Sequence, residues 1–307
     1  MQLVQQSLRD VSVGRPHSFG GLTVFPVTNP NAPFEPDYLA LAEALDGGTA
    51  RVMEMPGHAS VPELRFVNDG RKAVLLLDGE ELLGARQNRV LNLSLMVPPR
   101  TSVTIPVSCV EAGRWHEHSP AFSGSSQVLY ARARARKARH VTRSLRTSGA
   151  ARSDQSALWD DIARKSSSMG SHSRSGAMAG VFECHDRDLE SYVSEFGIER
   201  SQIGVVLAID RRITALELFD CAGVVPKLLP KILRSYALDA IEQRDRRSAP
   251  SDAAQRLFDA LSSAEELRFA VAGAGENVRL RGGGVSGGAL VVGGRVVHVA
   301  AFLGEEA

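Results

Sequence analysis

The sequence predicts an α+β protein: a mainly antiparallel β core, sandwich- or jelly-roll-like, built from both chain ends, with four to five helices mostly in the middle. Three observations predict it. Ala73 to Trp115 reads as strands broken by tight turns, and the last third, from Glu266 onward, returns to short apolar runs separated by glycines. Between them lie stretches whose apolar residues recur at helical spacing. At 307 residues the chain is long enough to bury a substantial core. It is read as one domain, 1–307, with a basic and then Ser/Gly-rich flexible insertion around 124–180.

Met1 to Leu8 suits a short helix and Gly20 to Val27 a first strand, closed by the Pro- and Asn-rich Thr28 to Pro36. Asp37 can cap a helix from Tyr38 to Leu45, which Gly47-Gly48 stops. Arg51 to Met55 and Glu63 to Val67 read as strands. Ala73 to Leu77 is an apolar run, and Asp78-Gly79 carries the chemistry of a type I′ turn, so Glu80 onward is expected to fold back as a hairpin. After Gly84 the polarity switches to Arg86-Gln87-Asn88-Arg89. Apolar alternation resumes from Val90 to Val97, and Pro98-Pro99 ends pairing. Thr101 to Glu111 alternates again, with Pro106 marking an edge or a bulge.

Ser119 to Ser153 holds no acidic residue but carries Arg132, Arg134, Arg136, Lys137, Arg139, Arg143, Arg146 and Arg152. Burying so many cations without nearby acids is prohibitive, so the Arg132 to Arg146 tract is expected to be exposed or mobile. A helix opens at Asp154 and runs to about Lys165. Ser166 to Gly180 reads as a linker, with a lid as the functional alternative. Val181 to Phe196 is helical by spacing, Ile203 to Ile209 and Thr214 to Phe219 form a hairpin across Asp210-Arg211-Arg212, and helices follow over Val224 to Arg244 and from Pro250 to Leu261. Four strands complete the chain: Glu266 to Val271, Asn277 to Arg281, Gly288 to Val292 and Arg295 to Phe302.

Composition excludes several function classes. A formal net charge of +1 supplies no overall field for nucleic acid or anionic membrane, so nucleic acid is disfavoured as a partner. Cys109, Cys184 and Cys221 are too scattered for a disulfide framework or a metal site and fit a reducing cytoplasm. No segment reaches the roughly 20 apolar residues that span a bilayer, so a cytoplasmic protein with no membrane partner is expected. Gly282 to Gly287 matches GxGxxG, yet a strand follows it and not a helix, which argues against a dinucleotide fold. His116-Glu117-His118 has metal-site spacing but lacks a third ligand, so no metal is assigned to His116 and His118 and no cofactor is indicated. A homo-oligomer is compatible with all of this.

The candidate site comes from asking where donors, a carboxylate and an aromatic face converge. Gln87, Asn88 and Arg89 precede one strand, while Glu111, Arg114 and Trp115 end the next. Adjacent antiparallel strands joined through Val97 to Thr101 bring those two ends together. Arg89 or Arg114 can clamp a phosphate or carboxylate, Trp115 can stack on a flat ring, and Glu111 can accept from a ribose hydroxyl. The competing reading has Glu111 merely pairing with Arg89 and Trp115 capping the core.

The runs DGEELLGARQNRVLN, VPPRTSVTIPVSCVEAGRW and SDQSALWDDI carry a resemblance. Through most of its length the chain resembles the bacterial domain family named for its association with ADP-ribosylglycohydrolases and with rhodanese and phosphatase superfamily proteins. The resemblance implies a role in or around ADP-ribose or nucleotide metabolism, with a small phosphate-bearing ligand, and carries over no catalytic residue. The expected function is therefore a nucleotide- or ADP-ribose-related ligand-binding protein or enzyme. The alternative is a noncatalytic interaction or oligomeric scaffold protein.

Overall fold

The structure, a computed structural model, describes residues 3–56, 60–116, 119–243 and 247–304. It is α+β and mostly antiparallel, with strands from both chain ends. The largest sheet runs in the order β1 (Ser12–Val13), β3 (Leu22–Thr28), β13 (Gln202–Ile209), β14 (Arg212–Phe219), β18 (Arg295–Leu303), β17 (Val285–Val292), β16 (Glu276–Gly282), β15 (Glu265–Ala270), with β2 (His17–Phe19) on β3. A three-stranded sheet joins β10 (Leu95–Val97), β7 (Ala73–Leu76) and β4 (Tyr38–Ala40). The remaining strands close a six-stranded barrel: β11 (Thr101–Cys109), β6 (Glu63–Asn68), β5 (Ala50–Met53), β12 (Phe122–Val128), β8 (Glu80–Gly84) and β9 (Arg89–Leu91).

The helices are α1 (Leu3–Ser7), α2 (Leu41–Asp46), α3 (Ala131–Ser148), α4 (Gln155–Ser168), α5 (Ala179–Cys184), α6 (Asp186–Glu195), α7 (Val225–Glu242) and α8 (Ala253–Ser263). These eight among the described residues exceed the four to five expected. The basic tract is itself α3, and the span 181–196 breaks at His185 into α5 and α6. The start of α2 also shifts. Tyr38 to Ala40 pairs in parallel with β7, and Glu43 rather than Asp37 caps the helix by accepting from the Ala40 N–H at 2.9 Å.

Strand β13, QIGVVLAI, is buried along its whole length, which requires cover on both faces. One apolar cluster joins its residues Val205, Leu207 and Ile209 to α7, and a second joins Ile203, Val206 and Ala208 to α8. The β13–β14 hairpin turns on two residues, Asp210 (φ 44°) and Arg211 (φ 69°), a type I′ turn made without glycine.

The hairpin expected at Asp78-Gly79 is not there. β7 pairs with β10 and β4, whereas β8 pairs with β12 and β9. A type I′ turn needs positive φ at both central residues, and only Gly79 has it, at 79°. The Glu80 N–H donates to the Leu77 carbonyl at 3.1 Å, closing a turn of type II geometry that passes the chain from the three-stranded sheet into the barrel.

Helix α3 overturns the expectation of an exposed basic arm. Ala131, Arg134, Ala138, Val141 and Leu145 recur at helical spacing on its buried side, and Gly149 (φ 71°) ends it. Arg132, Arg139, Arg143 and Arg146 do face solvent, but Arg134 and Lys137 lie in the interior at 0% and 2% exposure. Arg134 forks onto Glu217 at 2.5 and 3.2 Å and reaches Asp78 at 3.3 Å. Lys137 pairs with the other Asp78 oxygen and donates to the Leu91 and Asn92 carbonyls. His298 completes the junction between Ser94 (2.9 Å) and Glu217 (3.2 Å). Pairing offsets the cost of burying these cations, and the acids come from a turn (Asp78) and a strand (Glu217) distant in sequence.

Candidate functional site

Pairing of β9 with β11, in register Arg89↔Cys109, sets the ends of those strands side by side on the barrel. From there the geometry follows from one carboxylate. Glu111 is buried, and its Oε2 accepts from the Asn88 N–H at 3.0 Å and from Arg114 Nη2 at 2.6 Å. Its Oε1 accepts from the Ser175 hydroxyl at 2.6 Å. Burial alone would raise the Glu111 pKa, but Arg114, Ser175 and the Asn88 N–H outweigh it and hold the carboxyl below its ordinary value. Arg114 spends its remaining reach on the Ala85 carbonyl (2.7 Å) and on Asn88 Oδ1 (3.1 Å).

The Ser/Gly-rich segment lies across this wall and is tied to it as a strap rather than hanging free as a linker. The Gly113 N–H donates to Ser175 O at 2.7 Å, the Met178 N–H donates to Val110 O at 2.9 Å, and Ala177 bridges Glu111. Gly113 permits the approach, since a Cβ there would stand 3.0 Å from the Ser175 carbonyl oxygen. Between barrel, strap and α5 opens a cleft of about 960 Å³. Leu83, Asn88, Glu111, Arg114 and Ser123 form one side, and His172, Ser173, Glu183 and Cys184 form the other.

Of the six residues singled out in the sequence, Asn88, Glu111 and Arg114 line the cleft. Gln87 and Arg89 lie buried behind it, where Gln87 donates to the Glu111 carbonyl and accepts from Arg89 Nη1. Glu111 pairs with Arg114, not with Arg89. Trp115 is 47% exposed and caps no core; the Arg86 and Arg89 guanidinium carbons stand 5.8 and 5.9 Å from its ring centroid. Cys109 is buried beside Arg89, and burial pushes its thiol up despite that neighbour, so it is no poised nucleophile.

Sequence reasoning missed Glu81. Side chains two apart on a strand share a face, so Glu81 points the same way as the cleft-lining Leu83. It is fully buried. Its Oε2 accepts from Ser125 Oγ (3.0 Å) and Gln127 Nε2 (2.9 Å), and its Oε1 has no partner among the described residues. Burial pushes its pKa up to about 7; the Gln127 and Ser125 hydrogen bonds oppose this, and the nearby Glu111 and Glu183 charges add to it. A signal for it existed in Glu80-Glu81, two adjacent acids inside an apolar strand, because alternation must turn them to opposite faces.

Of two other constellations, one carries no site chemistry and the other lies partly outside the described residues. Ser94, His298 and Glu217 form a Ser–His–carboxylate chain, but all three are buried, and Ser94 Oγ is already held by the Asp78 N–H at 2.9 Å. The His116-Glu117-His118 motif falls partly outside the described residues, and among the described residues no cluster of three or more His, Cys, Asp or Glu can hold a metal. No helix of the described residues is long and apolar enough to cross a membrane.

Fold and site together define an α+β protein in which a small barrel, joined to a large antiparallel sheet by buried ion pairs, carries a polar cleft under a strap. The chain belongs to the ARG and Rhodanese-Phosphatase-superfamily-associated Protein (ARPP-1) domain family, whose model matches residues 10–302. That family is associated with ADP-ribosylglycohydrolase and rhodanese-phosphatase proteins. No curated protein and no solved structure matches the chain.

Proposed function

We propose that the cleft beside Glu111 binds a nucleotide- or ADP-ribose-related ligand. The observation that carries this reading is the mixed chemistry of a cleft of nucleotide size: Arg114, its own hydrogen bonds held by Glu111, Asn88 and Ala85, lends positive charge beside the hydrogen-bonding groups of His172 and Ser173, while Glu183 offers an acceptor carboxylate. Phosphate oxygens suit the first set and ribose hydroxyls the second. The family association supports the same ligand class. We further infer that barrel and sheet act as one domain, because α3 donates to the barrel at the Leu91 carbonyl through Lys137 and pairs with the large sheet through Arg134–Glu217, and that three free cysteines favour a cytoplasmic setting.

Thermal denaturation with ADP-ribose, ADP, AMP and NAD tests this, since a ligand that prefers the native state raises its stability. One of them is expected to raise Tm in the wild type and to fail in Arg114→Ala and His172→Ala. No shift with any of the four at millimolar concentration sinks the reading.

A further inference from the structure

We propose that a second cleft, on the opposite side of α3 from the barrel, binds a small molecule bearing two linked phosphates through Arg132, Arg139 and Arg212. This cleft, about 530 Å³, lies where α3, α7, the β13–β14 turn and the end of β18 meet, and it shares no lining residue with the cleft beside Glu111. Its ligand is therefore independent of the function proposed above.

Arg132 and Arg139 are seven residues apart on α3, which puts them on one face about 10 Å apart along the helix. Two long side chains rising from that spacing can each take a different phosphate group of one ligand. Arg212 enters from β14, directly after the turn at Asp210 and Arg211, both in the left-handed region without glycine. The three guanidinium groups are exposed, and none forms an ion pair among the described residues. Burial and the neighbouring Arg136 both depress the Arg139 pKa, with no carboxylate among the described residues set against it.

Asp210 and Asp239 also border the cleft, against Arg132, Arg139, Arg212 and Arg247; Asp239 is already engaged, pairing with Lys165 and accepting from the Arg132 N–H at 2.7 Å. Arg139 reaches across to the residue that follows β18, where its Nη1 stands 4.0 Å from the position a Cβ on Gly304 would take. Ala131, Ala135 and Phe302 supply an apolar floor. A concave, basic site with a small apolar floor fits a compact diphosphate and not an extended polyanion, which would want an open groove with aromatic platforms.

The test is isothermal titration calorimetry of the full chain with inorganic pyrophosphate. Saturable one-to-one binding is expected, weakened about tenfold or more in Arg139→Ala/Arg212→Ala by loss of charge-assisted hydrogen bonds, and unchanged in Arg114→Ala. Because all three arginines are exposed, the double variant should keep the wild-type Tm. Gly304→Leu, which fills the Arg139 end while leaving every charge in place, should weaken binding as well. Absence of saturable binding at millimolar pyrophosphate, or full affinity in the double variant, overturns the proposal. So does a single-stranded oligonucleotide that binds more tightly, with the steep salt dependence of many phosphate contacts.

Discussion

Replacing Glu81 by Gln is the sharpest probe of the cleft, because the structure sets both the sign and the size of the effect. In the folded chain the Glu81 pKa rises from the ordinary 4.5 to about 7, chiefly through burial. A carboxyl so raised is neutral in both folded and unfolded chains below the lower value, and between the two values the folded chain binds more protons. Stability is therefore fully present in acid and is lost as pH rises toward 7, the whole penalty standing above it. At about 1.4 kcal/mol per pH unit the difference amounts to about 3 kcal/mol, or roughly 5 °C in Tm for a chain of this size. Gln reproduces the protonated form. Its carbonyl oxygen still accepts from Ser125 and Gln127, and its NH₂ takes the place of the unpartnered oxygen. The variant should match the wild type at about pH 5 and exceed its Tm by roughly 5 °C at about pH 8.5, as read by calorimetric scans across that range. A Tm difference that does not change with pH would refute the reasoning, since Glu81 would then be ionised throughout.

Asp78→Ala strands Lys137 and the Arg134 Nε–H in the interior and should cost about 3–5 kcal/mol in chemical denaturation; a loss below about 1 kcal/mol would mean the junction is not a buried ion network. Gly79→Ala places a Cβ 2.9 Å from Arg134 Cδ and Nε at a φ of 79°, so a loss of at least about 1–2 kcal/mol is expected, and a neutral outcome would contradict the turn geometry. Ser175→Ala removes the hydroxyl bond to Glu111 at a cost of about 1 kcal/mol, felt mainly as faster hydrogen exchange at Gly113 and Met178, the amides tied to the strap. Unchanged exchange there would mean that the backbone bonds alone hold the strap.

Local signals in the sequence were reliable where local physics decides the outcome. The hairpin joining β13 to β14, the apolar run of β13 from Ile203 and the meeting of Asn88 with Glu111 depend on alternation and on short connections. Asp78-Gly79 misled because the residue pair marks a turn but does not choose its type; Arg134 and Lys137, more than fifty residues away, hold Asp78. The basic tract misled for a related reason. A run of cations with no acid among them suggests an exposed or mobile tract, while the alanines between them, with Val141 and Leu145, fit a helix whose acidic partners come from a turn and a strand distant in sequence. In the cleft, the strap residues His172, Ser173 and Ser175 had no signal at all, since nothing in a Ser/Gly run indicates which backbone it will lie against.

The ion network around α3 also determines the order in which the chain can assemble. Its partners are separated by 56 residues (Asp78 and Arg134), 83 (Arg134 and Glu217) and 204 (Ser94 and His298), so it closes only when the C-terminal strand arrives. Until then Arg134 would be desolvated with half its partners missing, and a barrel that docked α3 early would be driven open again. A misregistered β14 or β18 meets the same rejection, because a slip of one residue turns Glu217 or His298 away from α3 and leaves a cation stranded. Apolar packing tolerates near misses of that kind. Charge pairing does not, and the junction thereby acts as a proofreading step that admits one register of the large sheet and disposes of the rest before the fold is complete.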